Sequence, residues 1–458
     1  MKSELEIILS LDSMRAENIS AAAVLCDEVS IFEYSHLVTT DDEGREIWTA
    51  ALQAAIDEHS SVVIPRSETP YFIDKTIVVP SNRRILADTA AHIKKVPRMK
   101  TLLMRNLHVH DGTHARISGD DRDSNISISG GIWEDTDPAR ELHHGLFDEE
   151  NSMPGINACF FFNNLEKLNL SDLKIIQAGG FGIQAGYLDG GIIENIVFER
   201  TVADGVHLNG HTRNVIVKNI SGSVADDIVA FNMYDWQRSS VCFGAIENVL
   251  CEDIFLAPES NYKAIRILPG TYFYDDGTME DCAINDVIIR RVRGVNTFKF
   301  YFQSPPYNIH GAREGGESGR GDNVIIDDVE ICLDRPIDSL EEYVNGDEIL
   351  GTFAAFELGS QLGTVTLRNI KISLDKQRLP MAYLACVGPK SIRRGDIEIF
   401  DPDENPRVER LVLENIEING KKLTADELSI YTKEIIFDKL YGDESRHSKG
   451  RFGEILLK

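Results

Sequence analysis

The chain has 458 residues, 42% of them hydrophobic and 26% charged, with a formal net charge of −27. Those proportions are globular and exclude wholesale disorder, and a charge this negative repels nucleic acid and anionic membrane surfaces, excluding both as partners. A prior of about three domains from length alone does not apply to a repeat protein, which grows by adding units to one elongated core.

The N-terminus, Met1-Lys2-Ser3-Glu4-Leu5-Glu6, is acidic and lacks the apolar stretch of a signal peptide. No segment reaches the ~18 apolar residues of a membrane span. Cysteines occur at 26, 159, 242, 251, 282, 332 and 386, an odd number with no CxxC pair, which signals neither a disulfide framework nor a zinc site. Ala158-Cys159-Phe160 and Ile331-Cys332-Leu333 read as buried free thiols. The expectation is a soluble, reduced, cytoplasmic protein.

Residues 1–40 form an N-terminal extension, with an extra strand layer or an oligomer contact as its two readings. A homo-oligomer is therefore left open. Residues 46–59 are rich in helix formers and carry an apolar stripe at Ile47, Ala51, Ala54 and Ala55. A helix here caps an open stack of strands, whose edges would otherwise invite aggregation. Val62-Val63-Ile64, Tyr71-Phe72-Ile73 and Ile77-Val78-Val79 read as the first strands. Two long inserts follow, 135–154 with His143-His144 and 303–321 with His310; inserts of this length are usually functional. Adjacent histidines diverge, so the first pair is a weak metal signal and no metal or cofactor is expected.

From residue 168 a pattern recurs: an apolar alternation, an Asn or Asp, then another alternation. Its markers are Asp172, Asn195, Asn219, Asp253, Arg291, Asp328, Asn369 and Asn415, separated by 23, 24, 34, 38, 37, 41 and 46 residues. A short unit with strands and no helical period suits one coil of a parallel β-helix, with longer separations carrying inserted loops. Alternation sends one side chain inward and the next outward, and Asn or Asp suits a tight left-handed corner. A β-sandwich also has many short strands, but it needs hairpin signals at regular spacing; here the NG and DG pairs fall irregularly. The expected fold is all-β, a right-handed parallel β-helix over 41–420, with the capping helix at its start and a polar, helix-like C-terminal cap over 421–458.

The chemistry concentrates in Val202-Ala203-Asp204-Gly205-Val206-His207 and Ala225-Asp226-Asp227. Asp204 and Asp227 are 23 residues apart, one local coil. Strands a coil apart stack at about 4.8 Å, so the three carboxylates meet on one face. Like charges that close make at least one retain its proton. A carboxylic acid beside ionised carboxylates is what glycoside hydrolysis requires. Each element also has a plainer reading, Asp-Gly as a turn and Asp-Asp as a solvated corner.

From Trp48 to Asn415 the chain resembles the polygalacturonase family of glycoside hydrolases (family 28), within the pectin-lyase-like β-helix superfamily. The family pattern runs Asn-x-Asp-Gly, Gly-Asp-Asp, Gly-His-Gly, Arg-Ile-Lys. Asp204-Gly205 matches the first with Val202 for Asn, Asp226-Asp227 the second with Ala225 for Gly, and Arg266-Ile267 the fourth with Leu268 for Lys; the third is replaced by Val241-Cys242-Phe243-Gly244. The resemblance implies that Asp226 is the general acid, that Asp204 and Asp227 hold and activate water with inversion, and that Arg266 binds substrate. The departures leave both a uronate and a neutral sugar open. His207 and Asn232 are further polar contacts to substrate, and Tyr234, Trp236, Tyr272 and Tyr274 are candidate stacking platforms. The expected activity is exo-acting, inverting hydrolysis of pectin-type oligosaccharides. A lyase or epimerase of the same fold and a non-catalytic carbohydrate-binding β-helix are the alternatives.

Overall fold

The computed structural model describes residues 2–97, 99, 101–109, 121–135, 158–234, 242–260, 263–274, 277–301, 319–333, 353–377, 382–388, 406–434, 436–437 and 448–458. The chain winds as a right-handed parallel β-helix, the hand that parallel crossovers take in nearly every protein. Each coil adds strands in parallel register to those of the coil before. One ladder climbs through Val206–Asn209, Val229–Asn232, Ala264–Leu268, Thr297–Tyr301, Phe353–Gly359 and Ala382–Val387. Another, of longer strands, climbs through Thr212–Val224, Ile246–Leu256, Ile284–Arg293, Arg320–Leu333, Gln361–Leu374 and Arg407–Ile418.

Alternation builds the core. Val206, Val229, Ile265, Phe298 and Phe356 lie in register and are each 0% exposed. Burying each side chain contributes about 1.5–3 kcal/mol. The residues between them point outward, and that outward row carries the site.

All eight markers of the repeat sit at φ between 52° and 60°. A left-handed residue costs roughly 1–2 kcal/mol unless its side chain is short and bonds locally. Here the side chains bond to the next coil. Asn219 Nδ2 donates to Asn195 Oδ1 at 2.8 Å, Asn195 Nδ2 to Asp172 Oδ1 at 2.9 Å, and Asn415 Nδ2 to Asn369 Oδ1 at 2.7 Å. Arg291 is the exception in type and obeys the same logic, its Nε donating to Asp253 Oδ1 at 2.6 Å.

The ends differ from expectation in part. Helix α1, Glu4–Ala23, occupies most of the extension read as a strand layer or oligomer contact, started by a Ser3–Glu6 capping box. Glu28–Ser30 adds a strand in parallel register with residues 61–63, and Thr39–Thr40 pairs antiparallel with Glu46–Ile47. Helix α1 lies across successive coils, its residues bonding in turn to Asn125, Gly190, Glu194, Asn248 and Arg368. Helix α2, Thr49–Glu58, begins later than expected because Glu46–Ile47 is a strand, and it buries Leu52 and Ile56 with Ala51 and Ala55 rather than Ala54. At the C-terminus the helical part is short, Leu428–Tyr431, and Arg451–Leu457 pairs as one more strand of the stack. Cys332 faces outward rather than into the core. No helix among the described residues is long and apolar enough to cross a membrane.

Candidate active site

Asp204 ends a turn whose glycine is fixed by contact. A Cβ on Gly205 would stand 2.7 Å from the Ile228 carbonyl and 2.8 Å from the Phe198 ring, so only glycine lets the two coils close here. That closure sets the register. The Gly205 N–H donates to the Asp227 carbonyl at 2.9 Å, and the Asp227 N–H donates to Asp204 Oδ1 at 3.1 Å. Asp226, beside Asp227, completes the cluster, and carboxylate oxygens of all three lie within 4.8 Å of one another. The meeting inferred from coil length is therefore observed.

One coil further on, Arg266 stands in register with Ala230 and reaches back to the acids. Its Nη2 donates to Asp226 Oδ1 at 3.1 Å, and its Nε lies 2.7 Å from Asp227 Oδ2. The second contact is an ion pair by distance, but its N–H is not aligned for a hydrogen bond. Burial pushes the Asp227 carboxyl well above the usual range; Arg266 opposes this, and Asp226 and Asp204 add to the push. Asp204 is 2% exposed and Asp227 0%. The Asp226 and Arg266 side chains, at 23% and 18%, present the cluster to solvent.

Behind Asp204 stands His207, 1% exposed, with Nδ1 2.6 Å from Asp204 Oδ2 and its ring 4.0 Å from that of Phe181. His207 and Asn232, expected as substrate contacts, are as buried as Asp204 and Asp227. Asn232 is 1% exposed, with Nδ2 3.3 Å from the imidazole nitrogens. Tyr234 and Tyr272, expected as stacking platforms, are buried as well. They are 2% and 3% exposed, packed with Phe243, whose ring stacks 4.4 Å from Tyr272. Tyr274, half-buried, meets Tyr272 edge-on at 4.9 Å. Trp236, His143, His144 and His310 lie outside the described residues.

Sequence reading missed Lys299. It is in register with Arg266 one coil on, is 3% exposed, and draws Asp227 downward. The signal was there: Phe298-Lys299-Phe300 alternates, so a lysine between two core phenylalanines must face the Arg266 row. Leu268 is 0% exposed, in register with Asn232. Three carboxylates this close are a donor set for a cation. Arg266 already supplies positive charge to two of them, which fits a metal poorly.

The sequence matches no family model and no curated protein. Among solved structures, the chain is similar to a hyperthermoactive exopolygalacturonase from Thermotoga maritima, at 13% identity and a TM-score of 0.49 over 86% of this chain and 92% of that one. It is similar to a family 28 exopolygalacturonase from Yersinia enterocolitica, at 13% identity and 0.48 over 94% and 78%. It is also similar to the A-module of a mannuronan C-5 epimerase from Azotobacter vinelandii, at 11% identity and 0.41 over 94% and 99%. The fold stands on the strand ladders themselves, and likenesses of this size do not choose between a hydrolase and an epimerase. The parallel β-helix implied by the polygalacturonase resemblance is the fold observed.

Proposed function

We propose that this chain is a glycoside hydrolase acting on pectin-type oligosaccharides, with Asp226 as general acid and Asp204 and Asp227 holding the attacking water. The observation that carries the reading is the stacking of Asp204 against Asp226-Asp227 under a single guanidinium. Stacked acids without their own cations are costly in a structural role and useful where a proton must be retained.

Asp226 and Asp227 both meet the Arg266 guanidinium. The proton that burial retains on Asp227 is relayed to its neighbour Asp226, the more exposed of the two, and from there passes to the glycosidic oxygen as the bond from that oxygen to the anomeric carbon breaks. Water forms the new bond to that carbon and gives its proton to Asp204. Asp204 is set up as an acceptor, since one oxygen already takes the Asp227 N–H. Return of that proton through solvent to Asp226 restores the cluster.

Arg266 and Lys299 favour an anionic sugar, because they are adjacent cations in a strongly negative chain. Inversion and exo action come from the resemblance. A cytoplasmic protein taking short oligosaccharides fits exo action, with the inserts 135–154 and 303–321, which lie largely outside the described residues, closing one end of the cleft. The separation within the cluster is shorter than the ~6.5–9.5 Å usual for an inverting pair, so the stereochemical course needs its own test. A β-eliminating or epimerising enzyme also uses cations against a uronate carboxylate.

The test is a panel of pectic and neutral oligosaccharides assayed for new reducing ends, with proton NMR of the first-formed sugar. Hydrolysis of uronate-containing substrates with an inverted anomer is expected. An unsaturated, ultraviolet-absorbing product, or a C-5 epimer without cleavage, overturns the hydrolase.

A further inference from the structure

The His207 imidazole is buried, touches the proposed base and is surrounded by the amides of Asn209 and Asn232 and the ring of Phe181. We propose that His207 is a positioning residue: a neutral imidazole, protonated on Nδ1, that fixes Asp204 as a hydrogen-bond acceptor aimed at the attacking water. This rests on the hydrolase reading above.

The hydrogen-bond arithmetic assigns the tautomer. Asn209 is oriented by two neighbours, its Oδ1 accepting from Gln184 Nε2 at 2.9 Å and its Nδ2 donating to the Asn232 carbonyl at 3.2 Å. An amide nitrogen has two hydrogens. The same nitrogen lies 3.2 Å from His207 Nε2, within reach for its second hydrogen. Nε2 therefore accepts, and the single ring proton of a neutral imidazole is on Nδ1, 2.6 Å from Asp204 Oδ2. With the Asp227 N–H on Oδ1, both oxygens of Asp204 are held. The Phe181 ring at 4.0 Å fixes the plane of the imidazole. Gln184, Asn209 and Asn232 are 0–1% exposed, so these orientations are locked by packing rather than by solvent. A structural histidine needs only a satisfied ring; this one is satisfied by a chain of amides that ends on a catalytic carboxylate.

The experiment separates the two ring nitrogens. Asparagine at 207 puts an N–H donor where Nδ1 stands, whereas glutamine puts one where Nε2 stands. His207→Asn is expected to keep kcat within about tenfold of wild type. His207→Gln is expected to lose about a hundredfold or more, with KM little changed in either. Two-bond 1H–15N spectra of wild type at neutral pH are expected to show Nδ1 protonated and Nε2 bare, with the Nδ1 proton displaced in Asp204→Asn. A protonated Nε2 overturns the proposal. So do equal losses of kcat in the two variants that track equal losses in Tm. A wild type that cleaves no glycosidic bond sinks the hydrolase reading alone, because the nitrogen shifts still decide the tautomer.

Discussion

Glu252 and Asp227 are almost equally hidden, 3% and 0% exposed, and their pKa values move in opposite directions. Burial pushes both upward. At Glu252, hydrogen bonds from Lys218, Arg290 and Arg291 outweigh it and bring the value down to about 2. At Asp227 a single guanidinium faces three carboxylates, and the value stays well above the ordinary range. The cause is register. On the face crossed by α1, Glu194, Lys218, Glu252, Arg290, Asp327, Arg368 and Glu414 lie in successive coils and alternate in sign at every step. Opposite charges placed so stabilise a sheet, and like charges placed so destabilise it. At the site the same stacking sets acid on acid. Company on the neighbouring coils, rather than depth, decides which carboxyl keeps a proton, and the coil stack spends its charge pairing on the structural face while withholding it from the cluster.

The contrast can be broken by substitution on either side. Asp226→Asn should lower kcat about a hundredfold or more while leaving Tm unchanged, since its side chain is partly solvated; steady-state kinetics beside a melting curve checks this. Glu252→Gln, on the other face, should leave kcat alone and remove about 1–2 kcal/mol at neutral pH, read by denaturant titration. The sign follows from a lowered pKa: the Glu252 contribution is present above its unfolded value of 4.5 and lost as pH falls toward about 2, so the variant's acid limb is flatter. Asp227→Asn should behave in the opposite sense. A raised folded pKa means stability declines as pH climbs from the unfolded value of 3.8, and the variant, which mimics the protonated acid, should be more stable than wild type at neutral pH by denaturant titration. The smallest effect belongs to the corners. Asn219→Ala should lose about 1 kcal/mol from its left-handed position and its amide bond, with activity intact.

Much of this was legible in the sequence because the information is local. The repeat of alternation and corner gave the coil, and the 23-residue interval from Asp204 to Asp227 gave the cluster. Helix α1 was not legible. Its buried stripe is narrow, Ile7, Leu11 and Ala22, while Leu5, Leu9 and Ile19 are apolar and exposed, which blurs the helical period. Nor was the burial of Tyr234, Tyr272, His207 and Asn232. An outward-facing residue on a strand is ordinarily solvated, and whether another part of the chain covers it is a tertiary fact that alternation does not carry. Lys299 is readable by register from Phe298-Lys299-Phe300, whereas the family motif places its lysine at Leu268, which is buried.

The claim that unequal proton sharing sets the cluster apart is tested most directly by a carboxyl 13C NMR titration of protein labelled in aspartate and glutamate, with Asp227→Asn and Glu252→Gln assigning the two resonances. Asp227 should remain protonated well above the ordinary carboxylate range while Glu252 stays ionised until the pH nears about 2. An Asp227 resonance that titrates alongside exposed aspartates would contradict the account.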